Sequence, residues 1–184
     1  MPAAKNRVRI IGGEWRSRTI TFPPTADLRP TPDRVRETLF NWLGQALDGK
    51  VCLDLFAGSG ALGFEAASRG AKRVVMVEQD HSAFRALQAN AAILGAGVEI
   101  RRADALEFLR ADDAVYDVVF LDPPFRAHYL PQVLAALGAR LATDALVHLE
   151  APSTPSLSPQ WEVWRSGRAG AVRHQLLKWK AHEA

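Results

Sequence analysis

Apolar and polar positions along this chain of 184 residues follow two alternating periods. Short runs of aliphatic and β-branched residues give way repeatedly to segments with apolar residues at helical spacing. The run from Val51 to Leu55 reads as a strand and Phe64 to Arg69 as a helix. A second strand is predicted at Arg73–Glu78, a helix over 81–94, a short strand from Gly97 to Arg101 and a helix over about 104–111. A fourth strand follows at Tyr116–Asp122, a helix over 128–141 and a fifth strand at Ala145–Leu149. A Pro- and Ser-rich loop covers 151–160, and Trp161–Arg165 and Ala171–Trp179 read as a closing pair of strands. Strand–helix alternation at this pace predicts a parallel, doubly wound α/β sheet with helices on both faces.

The chain before this unit is patterned differently. Between Arg7 and Phe22 two β-prone runs flank Gly12-Gly13, which predicts a hairpin. Residues 23–30 form a proline-rich linker. A helix is expected to open at Thr31-Pro32-Asp33, with Thr31 as N-cap and Pro32 in the first turn. Val35, Leu39, Trp42, Leu43 and Leu47 form its buried stripe. Arg34, Arg36, Glu37 and Asn41 fall off that stripe, and spacing alone assigns them to a solvated face. The expected division is a basic hairpin and linker over 1–30 and an α/β domain over 31–184.

Where the first strand of the alternating unit ends, Gly58, Gly60 and Gly63 intervene before the helix. Strand, glycine turn and helix make a nucleotide-binding corner, because the turn lets a ligand approach the main chain and the helix presents free N–H groups. The spacing fits a dinucleotide fingerprint literally, and Glu78 stands where a ribose-binding acid is expected. Asp54 favours another ligand. A carboxylate four residues before the first glycine gives a phosphate nothing, but it suits the ammonium group of S-adenosylmethionine. Asp54 as a mere cap of the turn is the structural alternative. Asp54, Glu78, Asp104 and Asp122 all lie at or just after predicted strand ends, so all four are expected in one crevice beyond the sheet.

The strand at 116–122 ends in Asp122-Pro123-Pro124-Phe125. Two prolines stiffen the turn and remove two donors, which leaves carbonyl acceptors beside the Asp122 carboxylate. With the Phe125 ring, these groups suit a planar base bearing an exocyclic amine. Accepting the hydrogens of that amine frees its lone pair for in-line attack on a methyl donor.

Composition narrows the setting. Apolar residues make up 48% and charged residues 23%, ordinary for a globular domain. The N-terminal residues hold no apolar signal core, no stretch suits a membrane span, and Cys52 stands alone, so a cytoplasmic location is expected. The scattered histidines give no metal-ligand pattern. The net charge of +3 is uneven: residues 1–36 carry eight Lys/Arg against three Asp/Glu, and residues 160–184 five against two. Basic ends on an acidic body suggest a polyanionic partner. In the hairpin, Arg7, Arg9, Arg16 and Arg18 are candidates for phosphate contacts. Trp15 is a candidate for base stacking or, equally, for packing.

Phe56-Ala57-Gly58-Ser59-Gly60, Glu78 and Asp122-Pro123-Pro124-Phe125 resemble the motifs of amino-methylating class I S-adenosylmethionine-dependent methyltransferases. The blocks Arg9–Arg16, Arg29–Leu43 and Leu53–Gly63 are similar to the bacterial 16S rRNA guanine-N2 methyltransferase family, over roughly residues 7–150. That resemblance implies a Rossmann-like class I methyltransferase fold: a mostly parallel seven-stranded doubly wound sheet with an antiparallel final strand and an N-terminal β-hairpin extension. It implies that Asp54 and the Gly58/Gly60 turn hold the methionine part of the donor, that Phe56 also belongs to the donor site, that Glu78 binds the ribose, and that Asp104 binds the adenine amine. Asp122, Pro123 and Phe125 are implied to receive a guanine of small-subunit rRNA within the small ribosomal subunit. Arg34 and Glu37 become candidates for closing the donor site, and a monomer without metal is expected. The alternatives are an N6-adenine methyltransferase on DNA or RNA, a glutamine methyltransferase, an NAD-dependent oxidoreductase and a catalytically silent ribosome-assembly factor.

Overall fold

The computed structural model describes residues 6–24, 28–124 and 128–180. A hairpin of β1 (Asn6–Arg9) and β2 (Thr19–Phe22) leads into α1 (Asp33–Trp42). There follow β3 (Val51–Asp54), α2 (Ala61–Ser68), β4 (Arg73–Glu78), α3 (His81–Leu94), β5 (Glu99–Arg102), α4 (Ala105–Ala111) and β6 (Tyr116–Leu121). The chain finishes with α5 (Tyr129–Leu137), a single 3-10 turn, β7 (Leu141–Ala151), β8 (Trp161–Ala169) and β9 (Val172–Trp179). The central sheet has seven strands in the order β5-β4-β3-β6-β7-β9-β8. β3 to β7 run parallel, and β9 enters antiparallel between β7 and β8. The expected fold class is therefore found. No helix of the described residues is long and apolar enough to cross a membrane.

Strand alternation sorts the core into two layers. Cys52, Met76, Val118 and Phe120 face the hairpin, α1, α2 and α3, while Leu53, Val75, Val119 and Leu149 face α4 and α5. Both faces are covered, so the inner parallel strands β3, β4 and β6 are mostly apolar on both sides and read as near-continuous apolar runs, while the edge strand β5 is mostly charged.

Several expectations are corrected. The hairpin does not turn tightly at Gly12-Gly13. Its arms meet through Ile10 and Arg18, with Ile10 N–H donating to the Arg18 carbonyl at 2.9 Å, and residues 11–17 form a longer loop. Trp15 packs in the core at 8% exposure, so of its two candidate roles the structure supports packing. The helix begins one residue later than read: Pro32 is the N-cap, and the Thr31 hydroxyl donates to Glu150 instead. Arg36 is wholly buried, contrary to the solvated face read from spacing. Arg36 reaches the Arg9 carbonyl on β1 and Glu65 on α2, so it is covered, while Arg34, Glu37 and Asn41 stay exposed as read. The fifth strand is longer than Ala145–Leu149; a register shift between Tyr116 and Val118, near a left-handed Asp144, masked its start.

Candidate methyl-transfer site

The strand order reverses between β3 and β6: the chain runs outward from β3 to β4 and β5, then returns to β6 on the other side. Such a switch point leaves a crevice beyond the C-terminal strand ends. Asp54 closes β3 and Asp122 follows β6, so the two acids flank it.

The glycine turn is shaped by sterics. Gly58 and Gly60 sit at φ +53° and +83°, in the left-handed region. A Cβ on Gly60 would come within 2.6–2.7 Å of Leu87 and Phe64, so no larger residue fits without displacing core side chains. The acids brace this turn. The Asp54 carboxylate accepts from the Gly63 N–H at 3.0 Å, inside the first turn of α2. Glu78 accepts from Gly58 N–H at 2.7 Å and from Asp80 N–H at 2.8 Å. Asp104 caps α4 by accepting from Leu106 and Glu107, and its second oxygen accepts from the Tyr129 hydroxyl at 3.0 Å. The Tyr129 ring stands edge-on to Phe56 with centroids 5.9 Å apart.

Burial pushes Asp54 up to about 7, and the Glu78 and Glu150 carboxylates add to the rise, while the Gly63 bond opposes it. Asp122 is raised as well, by crowding from protein atoms and then by Glu150 and Asp54. Asp122 is itself open to solvent, so water screens part of that effect. A strand-end crevice rich in raised carboxylates is short of positive charge. It therefore fits a cationic ligand and disfavours a phosphate, which supports S-adenosylmethionine over NAD.

The sequence candidates fall into three groups. Asp54, Phe56, Gly58, Gly60, Glu78 and Asp104 lie on the glycine turn or at the ends of β3, β4 and β5, with Pro123 buried after β6 beside Asp122. Arg7, Arg9, Arg16, Arg18 and Arg34 are exposed on the hairpin and α1. Arg9 pairs with Asp33 at 3.4 Å, and Arg18 donates to the Ile93 carbonyl at 3.0 Å. Glu37 is exposed on α1, and Phe125 lies outside the described residues. Sequence reasoning missed Glu150. The acid ending the fifth strand carried the same positional signal as the other four, but the predicted strand stopped one residue short of it.

A family model described as conserved hypothetical protein 95 matches residues 8–178. The ribosomal RNA small subunit methyltransferase D of Escherichia coli is 40% identical over 97% of this chain and 93% of its own length. A solved Escherichia coli structure, described as a candidate methyltransferase, superposes with a TM-score of 0.87 at 41% identity, over 96% of this chain and 100% of that one. A Thermus thermophilus 16S rRNA N2 G1207 methyltransferase in complex with AdoMet and guanosine has a TM-score of 0.71. At 22% identity, over 97% of this chain and 50% of that one, it is a likeness of fold alone.

Proposed function

Because the chain belongs to the family described as conserved hypothetical protein 95, together with the small-subunit methyltransferases D, we propose that it methylates the exocyclic N2 of a guanine in small-subunit rRNA. The donor is S-adenosylmethionine, which supplies an electrophilic methyl group when bound. The observation that carries the reading is the rigid Asp122-Pro123-Pro124 turn set across the switch point from Asp54 and the glycine turn.

Asp54 offers a carboxylate to a cationic donor group, and the Gly58–Gly60 turn brings main chain close to it. Glu78 keeps acceptor capacity for hydroxyls beyond its two backbone bonds. Asp104 and Tyr129 border the side expected for the purine. On the other side, Asp122 and the adjoining carbonyls accept from the base amine. An aromatic amine is a poor nucleophile because its lone pair is delocalised into the ring. Holding both hydrogens pulls the nitrogen toward tetrahedral geometry, and fixed acceptors stabilise the positive charge that grows there. The exposed arginines of the hairpin supply phosphate contacts.

The test is transfer of a labelled methyl group to unmodified small subunits, naked 16S rRNA, duplex DNA and bulk protein in parallel, followed by nucleoside digestion. Label in N2-methylguanosine from the small subunit is expected, and Asp122→Ala abolishes it with donor affinity little changed. Label in N6-methyladenosine or in protein would replace the substrate, and donor binding without transfer would point to an assembly factor.

A further inference from the structure

Glu150 is used by none of these steps, yet it lies near the end of β7, next to the strand that leads to Asp122. In the parallel β6–β7 ladder Phe120 lies opposite His148 and Leu121 opposite Leu149, so the next residues, Asp122 and Glu150, come side by side. Phe120 also lies opposite Asp54 in the β3–β6 ladder. Strand alternation therefore turns Asp54, Asp122 and Glu150 toward one face of the sheet. Glu150 is buried at 8% exposure, and its Oε1 accepts from the Thr31 hydroxyl at 2.7 Å. A buried carboxylate beside two others is costly unless something uses it. Thr31 belongs to the linker that joins the hairpin to α1, so this bond spans 119 residues of sequence.

We propose that Glu150 is a positioning residue for the methyl transfer: Thr31 holds its carboxylate beside Asp122, and its negative charge makes Asp122 the group that takes the proton leaving the base amine. The inference rests on the function proposed above. On gaining a methyl group the amine nitrogen carries a positive charge. One N–H bond then breaks with its electron pair staying on nitrogen, and the proton passes to the Asp122 carboxylate and from there to water.

The groups around Asp122 agree with this. Asp54 faces it from β3, with Glu78 of β4 behind, and Glu150 faces it from β7. His174 of β9 stands opposite Glu150 in the β7–β9 ladder, and burial lowers its proton affinity, so it supplies no compensating cation near neutral pH. Burial raises Glu150 itself, while the Thr31 bond favours its charged form.

The experiment is a carboxyl-carbon NMR titration of the ligand-free protein labelled at aspartate, with the Asp122 resonance assigned by its loss in Asp122→Asn. In Glu150→Gln the midpoint of Asp122 falls by about one pH unit, a tenfold loss of proton affinity, because the neighbouring charge is gone. In Glu150→Asp most of the shift is retained. Thr31→Val moves the midpoint in the same direction as Gln, and it serves if the Gln variant does not fold. In methyl transfer to small subunits, the acid limb of the Gln variant moves down in pH by a similar amount. Its kcat falls about tenfold while KM is kept. An Asp122 midpoint identical in the unmutated protein and Glu150→Gln overturns the proposal, whatever the activity. A shifted midpoint in a protein that methylates no base amine overturns the functional reading instead.

Discussion

Arg36 donates to Glu65 at 3.2 Å with both side chains completely buried. The pair joins α1 to α2, and the rest of Glu65 holds the hairpin. Its two oxygens accept from the N–H groups of Ile11 and Gly12 at 2.9 and 2.8 Å, and Arg69 adds a third partner at 3.0 Å. Arg36 in turn donates to the carbonyls of Arg9 and Thr31 and to Asp33. The helix that begins at the glycine turn is thereby fastened to the basic hairpin.

Breaking this pair takes from the buried Arg36 its buried counter-charge, leaving it Asp33 and two carbonyls, and takes the acceptor from the partly buried N–H groups of Ile11 and Gly12. Glu65→Ala is expected to destabilise the protein by about 3–5 kcal/mol. Urea unfolding checks this, and hydrogen exchange at Ile11 and Gly12 is expected to quicken in the same variant. A loss below about 1 kcal/mol would mean that the hairpin docks through its apolar side chains and its bonds to Ser68 and Asn90, without need of Glu65.

In the function proposed above, Asp54 gives up stability for donor binding. Its folded value, about 7, lies above the ordinary carboxylate range. Its contribution to stability is therefore complete below a pH of about 4 and is lost as pH rises through about 7. Asp54→Asn removes that loss, so the variant is expected to be more stable than the parent at pH 8, by up to a few kcal/mol, and no more stable at pH 3. Thermal melts at the two values test this. Donor affinity, measured by calorimetry at pH 8, falls at least about tenfold, because the carboxylate that meets the cationic group is gone.

His148 carries the opposite sign. It is fully buried, neither ring nitrogen has a hydrogen-bond partner among the described residues, and burial with His174 nearby lowers it to about 3. The stability it contributes is full above its unfolded value, about 6.5, and is lost as pH falls toward 3. His148→Leu is expected to match or exceed the parent at pH 7 and to exceed it by at least about 2 kcal/mol at pH 4. Denaturant unfolding at both values decides the matter.

For RNA, Arg7 and Arg16 are the cleanest probes, since Arg9 and Arg18 also bind Asp33 and the Ile93 carbonyl. Arg7→Ala with Arg16→Ala is expected to weaken binding to small subunits and to reduce the slope of log affinity against log salt by up to about 2. An unchanged slope would remove the hairpin from the phosphate contacts.

The sheet was legible in the sequence because parallel strands covered on both faces are apolar along most of their length, as Val51–Leu55 and Tyr116–Leu121 are apart from Asp54 and Asp117. The glycine turn was legible because Gly60 has no sterically tolerable substitute. What escaped were features decided by distant partners. Arg36 reads as a surface residue until α2 brings Glu65 over it. Thr31 reads as a helix cap until β7 brings Glu150 to its hydroxyl. Trp15 offered two readings, and only the docking of the loop against Ser68 chose between them: the Trp15 N–H donates to the Ser68 hydroxyl at 2.9 Å. Periodicity reports which face of an element is apolar, but it is silent on how many neighbours the element has.

The insertion of β9 between β7 and β8 has a bearing on biosynthesis. Six residues of β7, from Leu146 to Ala151, find their antiparallel partners only among residues 173–178. Until the ribosome has released that stretch, β7 is an open edge of apolar strand, able to recruit β-prone segments of other nascent chains. Glu150 sits on that same edge. A chain stalled before residue 172 would hold every motif of the donor corner and still lack the strand that closes the sheet beside Glu150, so stalled products are expected to aggregate or be degraded.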